Sequence, residues 1–187
     1  VARLLAMGIG VVTSTQGRGI VAENHPLSLG AYNLQPSVER LYQGCDAIVV
    51  VGSRLRGNET LKYQLKLPAN LYRIDADPMA DGRCYASAQF VCGDAALTLS
   101  ALADRLDGRM TIDPAFAADL RAAHDEAVER LRDGLGPYGV LVDAVQARAG
   151  ERFNWVRDVT VSNSTWGNRE LRLFDPLAGV HALGGGI

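Results

Sequence analysis

The stretch Asp46-Ala-Ile-Val-Val-Val-Gly-Ser-Arg-Leu55 constrains the chain most. It reads as a strand apolar on both faces that empties into a glycine-containing loop, which is the pattern of a central strand in a parallel sheet. In open α/β sheets the loop at such a strand's C-terminal end is where ligands bind. A parallel neighbour requires a crossover, so the flanking sequence should alternate strands with helices.

It does so. A helix is expected from Pro36-Ser37 to Gln43-Gly44, with Val38, Leu41 and Tyr42 at i, i+3 and i+4. After the opening strand comes a helical stretch from Asn58 to Lys66, closed by Pro68. Asn70 to Asp75 and Gln89 to Gly93 read as further strands, and a helix runs from about Asp94 to Leu106. Gly10 to Ser14 is a short β-branched strand, and Val1 to Met7 resembles the last two turns of a helix stopped by Gly8 and Gly10. The expected class is α/β, a doubly wound, mostly parallel sheet. Right-handed crossovers would put the strand-end loops Ser14 to Gly17, Gly52 to Arg54, Asp75 to Asp77 and Gly93-Asp94 on one rim.

Past Asp107-Gly108 the composition turns to Ala, Arg, Asp and Glu. Residues 114 to 133 read as a helix capped by Asp113, with Pro114 at its first position and Gly134 at its end. Another helix is expected from Leu141 to Ala149, and a strand from Asp158 to Ser162. The expected organisation is a central domain over residues 1–108, a connecting helix and linker over 109–138, and the start of a second, partial α/β unit over 139–187. Neither end reads as a natural terminus, since residue 1 is not Met and the chain stops within Gly184-Gly-Gly-Ile187. The sequence therefore reads as a piece of a longer polypeptide.

Net charge of −2 with interspersed signs offers no electrostatic basis for nucleic acid or anionic membrane. No apolar run approaches the roughly 20 residues that span a bilayer. Three cysteines, Cys45, Cys84 and Cys92, without a CxxC pair suit reduced, buried thiols and a cytoplasmic location. No metal site is expected from them.

Local motifs are ambiguous. Gly17-Arg-Gly19 lacks the third glycine of a dinucleotide fingerprint and reads as a turn. Asp75 and Asp77 can accept from ribose hydroxyls or serve as turn residues before Pro78. Arg54 and Arg56 beside Gly57 can meet phosphate oxygens or simply be solvated. His25 and His124 have no nearby nucleophile, which argues against a triad.

In order and spacing, Val12-Thr-Ser-Thr-Gln-Gly17, His25-Pro-Leu-Ser-Leu-Gly30, Cys45 to Arg54, Arg73-Ile-Asp-Ala-Asp-Pro78 and Gly93-Asp94 resemble the central domain of thiamine diphosphate-dependent enzymes. The likeness is to acetolactate synthase and the 2-oxo acid decarboxylases, over roughly residues 1 to 106. Val161-Ser-Asn-Ser-Thr-Trp166, Phe174-Asp-Pro and His181 to Ile187 resemble the opening of the diphosphate-binding domain. The resemblance implies a Rossmann-like fold of the deoxyhypusine synthase type that lacks its first strand here. It also implies a homo-oligomer, and the place of that strand would be filled by association with another chain, supplied by an upstream part of the polypeptide, or closed by repacking of the sheet. It nominates Asn163, Ser164 and Thr165 for the diphosphate of thiamine diphosphate. Ser14, Thr15, Gln16, Leu29, Gly30, Gly52, Ser53, Arg54, Asp75, Asp77 and Gly93 are nominated in the same way for an adenine nucleotide, FAD or ADP.

Flavin-binding relatives carry an acidic pair after the arginine, where this chain has Leu55-Arg-Gly-Asn-Glu-Thr60. The resemblance further implies magnesium and a 2-oxo acid substrate in the intact enzyme, with the catalytic glutamate and magnesium motif outside these residues. No catalytic residue is expected in this piece, which should be inert alone. Two other classes remain: a nicotinamide-binding domain of the deacetylase or deoxyhypusine synthase kind, and a structural domain that binds nothing.

Overall fold

The computed structural model describes residues 1–157 and 165–181 and divides into two compact units. The first comprises Val1–Ile9 and Leu34–Phe116, the second Gly10–Asn33 and Ala117–Ile187. Both contain parallel strands joined by helical segments, so the chain has the α/β class expected.

The first unit contains α1 (Ala2–Ala6), α2 (Pro36–Gln43), β1 (Ile48–Val51), β2 (Leu71–Asp75), β3 (Gln89–Cys92) and α3 (Ala95–Leu106). The strands pair in parallel in the order β1-β2-β3, with Val50 opposite Arg73 and Arg73 opposite Phe90. The strand expected to be central is therefore an edge of this sheet among the described residues, and β2 is the middle one. Val49 of β1 is 41% exposed, whereas Val50, one residue on and facing the other way, is buried. An apolar run shows that a strand is suited to burial on both sides, but not which neighbours cover it.

Helix α2 starts with Pro36 in its first turn and buries Val38 and Tyr42. Burying one such side chain contributes roughly 1.5–3 kcal/mol, so these two positions anchor the helix. Burial also pushes the Tyr42 hydroxyl well above the usual tyrosine range. Helix α3 begins where the Asp94 carboxylate accepts from Leu97 N at 2.9 Å, and it packs against β2. Asp94→Ala is expected to lower stability by about 1 kcal/mol, read as a fall in Tm, because it removes a partner for the otherwise unbonded N-terminal amides.

The expected helix from Asn58 to Lys66 is a different structure. A single 3-10 turn, Gly57–Glu59, leads into Leu61, Lys62 and Tyr63, whose φ angles of 51°, 56° and 69° lie in the left-handed region. The run ends at buried Thr60, whose φ of −140° and ψ of 31° are not helical and whose hydroxyl donates back to Arg56 O at 2.9 Å. The turn is held by Lys62 N to Gly57 O at 2.7 Å and Leu65 N to Thr60 O at 3.0 Å.

The second unit contains α4 (Phe116–Leu135), α5 (Gly139–Ala149), β4 (Trp155–Arg157) and β5 (Gly179–His181). Asp113 precedes α4 as expected, its carboxylate accepting from Ala115 N at 2.8 Å. The helix passes Gly134 and ends one residue later, at Leu135, before Gly136 at φ 52°. Gly134 has room for a helical conformation, and the left-handed residue that breaks the run is the next glycine. Leu120, Ala123 and Ala127 form its buried stripe. β4 and β5 pair in parallel, Val156 opposite Val180.

Residues Gly10 to Ser14 do not make a full strand. They contribute one parallel bridge, Val11 to Ser28, flanked by Val11 N to Leu27 O and Leu29 N to Val11 O, both 2.8 Å. The expected strand from Asp158 to Ser162 lies outside the described residues.

Candidate nucleotide rim and diphosphate loop

At the C-terminal ends of β1, β2 and β3 the structure brings together three of the expected loops. Gly52 N donates to Ile74 O at 3.0 Å and Gly93 N to Asp75 O at 2.9 Å, so Gly52, Asp75 and Gly93 succeed one another across the sheet. Gly52 has φ 60°, and an added Cβ there would meet nothing within 4 Å. The loop can therefore be approached closely from outside, as a bound nucleotide requires of a glycine. Ser53 Oγ accepts from Leu55 N at 3.2 Å, and the exposed Arg54 turns its carbonyl toward Cys84 Sγ at 3.7 Å.

The two aspartates are bound into the turn. Asp75 Oδ1 accepts from Asp77 N, and Asp77 Oδ1 accepts from Met79 N, each at 2.9 Å. The second oxygen of Asp77 lies 3.5 Å from Arg83. This is the Asx-turn chemistry that strand-end aspartates before proline offer. Among the described residues, no group of three or more His, Cys, Asp or Glu side chains is placed to hold a metal ion.

Ser14, Thr15, Gln16, Leu29 and Gly30 belong to the second unit. There Thr13 N donates to Gly30 O at 2.9 Å, which sets the polar loop beside the Leu29-Gly30 segment. Ser14 Oγ accepts from Gly17 N at 3.1 Å and closes that loop on itself. Thr15 is partly exposed and Gln16 exposed. Of the residues nominated for the diphosphate, Asn163 and Ser164 lie outside the described residues. Thr165 immediately precedes the 3-10 turn Trp166–Asn168. A hydroxyl and a backbone amide at such a turn are donors of the kind that suit diphosphate oxygens.

Two residues absent from the sequence-based nominations hold the segment after Thr165. The Arg18 and Glu23 side chains are 0% and 3% exposed and form a two-point ion pair, Nε to Oε1 at 2.6 Å and Nη2 to Oε2 at 2.5 Å. Arg18 also donates to the carbonyls of Gly167, Arg169 and Leu171, and Glu23 accepts from Leu173 N at 2.8 Å. Trp155 Nε1 adds a bond to Gly167 O at 3.1 Å. The backbone from Gly167 to Leu173, which has little regular structure of its own, is thereby fixed by side chains. An arginine between two glycines in a polar loop carries no sequence signal of burial, because its carbonyl partners lie about 150 positions away.

The profile described as "Thiamine pyrophosphate enzyme, central domain" matches residues 3–102, just over half of the chain. The chain is 33% identical over 120 residues to a probable 2-ketoarginine decarboxylase of Pseudomonas aeruginosa, covering 60% of this chain and 21% of that protein. It is 37% identical over 87 residues to a Mycobacterium tuberculosis protein described as an acetolactate synthase large subunit, covering 43% and 16%. It is 28% identical over 104 residues to a probable acetolactate synthase large subunit of Methanococcus aeolicus, covering 54% and 17%. The chain thus spans about a fifth of the length of the curated relatives it matches. With a parallel α/β fold and a family match over most of its first hundred residues, this chain belongs to the thiamine pyrophosphate enzymes, whose central domain it carries.

Proposed function

We propose that the intact protein is a thiamine diphosphate-dependent enzyme acting on 2-oxo acids, by decarboxylation or by carboligation as in acetolactate synthase. The observation that carries this reading is the central-domain match over residues 3–102, joined by relatives described as a decarboxylase and as acetolactate synthase subunits. In this reading residues 1–108 are the central domain, 109–138 the connection, and 139–187 the start of the diphosphate-binding domain. The cofactor, with magnesium, supplies an electron sink when bound. The contribution of this chain is placement: Asn163, Ser164 and Thr165 hold diphosphate oxygens, and the Arg18–Glu23 pair fixes the backbone beyond them. The magnesium ligands and the cofactor-activating glutamate lie outside these residues, so the 187-residue chain is inert alone. The intact enzyme is a cytoplasmic homo-oligomer.

Purified intact protein, supplied with thiamine diphosphate and Mg2+ and screened against a panel of 2-oxo acids, is expected to release carbon dioxide from at least one of them. Absence of turnover on every member, with the cofactor shown to bind, would overturn the reading.

For the nucleotide residues, Gly52, Ser53, Arg54, Asp75, Asp77 and Gly93 with Ser14, Thr15, Gln16, Leu29 and Gly30, the proposed ligand is FAD or ADP. A central domain that binds neither is the second reading. It is favoured by the way Asp75 and Asp77 each commit an oxygen to the turn. An absorbance band at about 450 nm in the purified intact protein identifies a bound flavin.

A further inference from the structure

Helix α5 is mostly apolar, yet of its 11 residues, all described, Val142 alone is buried. Helices this short are marginal in water and owe their stability to a packed face. Leu141 is 47% exposed, Ala144 and Arg148 are exposed and Val145 is half-buried. With Ala149 they line a shallow groove of about 370 Å3. Tyr138, 64% exposed, precedes the helix with φ −78° and ψ −10°, so it continues the helical path.

Tyr138, Leu141, Val145 and Arg148 follow one another at steps of three, four and three residues, which sets them in one stripe, as the a and d positions of a paired helix. The chemistry of the stripe selects its partner. In a parallel pair of such helices the two Arg148 guanidinium groups face each other, a like-charge contact. In an antiparallel pair Arg148 meets Tyr138 of the second helix, and Leu141 meets Val145. A guanidinium over a phenol ring is attractive, and the aliphatic pair excludes water. Ala144 beside the stripe lets the backbones approach, and the helix dipoles then oppose each other.

We infer that this face of α5 docks on the same face of a second copy of the protein, antiparallel about a two-fold axis. Such an interface is isologous, so the match of arginine to tyrosine is made at both ends of the helix pair and the assembly closes as a dimer. The exposed apolar stripe is the kind of patch that marks an interaction surface. The inference gives the proposed homo-oligomer a surface, and it is independent of the proposed enzyme activity, because neither the cofactor nor a 2-oxo acid takes part.

Cross-linking and sedimentation of the intact protein test it. Tyr138→Cys combined with Arg148→Cys is expected, on mild oxidation, to give a covalent dimer on a non-reducing gel that neither single variant gives, nor the parent with its own Cys45, Cys84 and Cys92. In analytical ultracentrifugation Leu141→Asp is expected to raise the dimer dissociation constant by about thirtyfold or more. Val140→Asp, exposed but off the stripe, is expected to leave it unchanged. The inference is overturned by an intact protein that sediments as a monomer, by a double-cysteine variant that cross-links no better than the single ones, or by a Leu141→Asp variant that dimerises as before. A Leu141→Asp variant that loses Tm but not the dimer also overturns it, and shows the face to be covered within its own polypeptide. Should Leu141→Asp fail to fold, the cysteine pair decides the matter.

Discussion

Glu23→Ala is expected to lower the unfolding free energy of the intact protein by about 3–5 kcal/mol, measured by urea or thermal denaturation, because it leaves the Arg18 guanidinium buried with no counter-charge. The carboxylate is held from two sides, by two nitrogens of Arg18 and by the amide of Leu173. Replacing both members by apolar residues, Arg18→Met with Glu23→Leu, is expected to recover only part of that loss. A well-packed apolar pair often matches a buried ion pair. Here, however, Arg18 also serves the carbonyls of Gly167, Arg169 and Leu171, which the double variant would strand. A double variant as stable as the parent would show that those three carbonyls find other partners.

Gly19→Ala is expected to be nearly as costly. Gly19 has φ 81°, and a Cβ there would overlap the carbonyl of Asp175, lying 2.6 Å from its carbon. The obstacle is backbone, so no rotamer change relieves it. About 3 kcal/mol or more should be lost, read as a drop in Tm. Gly82→Ala separates the two causes, since Gly82 has a similar φ of 69° but nothing within 4 Å of the added atom. It should cost only about 1–2 kcal/mol, the penalty of the left-handed conformation alone. Equal losses at the two positions would show that conformation, not contact, dominates at Gly19.

Legibility in the sequence tracks the range of the interactions. Val38 and Tyr42 on α2, the strand ending in Asp75 and the start of α3 at Asp94 are set by neighbours within a few residues, and the pattern shows them directly. The edge position of β1 depends on which strand pairs with which, and an apolar run is silent about that. Leu61 to Tyr63 are ordinary helix-compatible residues, yet they take a left-handed turn between Thr60 and Leu65, whose burial depends on the rest of the unit and not on the local pattern. Arg73 belongs to a strand motif in the sequence, yet its side chain is buried and donates to Ala80 O. Burial of a guanidinium, there and at Arg18, is decided by backbone carbonyls outside its own element and has no local signature. For the site, the glycine-ended strand loops are legible as a rim across β1 to β3. The bonds from Arg18 and Glu23 to the segment after Thr165 are not, since the partners come from separate stretches with no telling spacing.

The left-handed turn between β1 and β2 bears on how this chain can be altered. Thr60 and Leu65 are buried anchors, while Leu61 to Gln64 between them are exposed. Three successive residues in that region each carry about 1–2 kcal/mol of steric penalty, held in place by the two anchors. The parallel register, Ile48 opposite Leu71, is set by the sheet and not by the tip. The tip is therefore a natural splice point: foreign sequence grafted between Thr60 and Leu65 discards unfavourable torsion angles and leaves the strand pairing untouched.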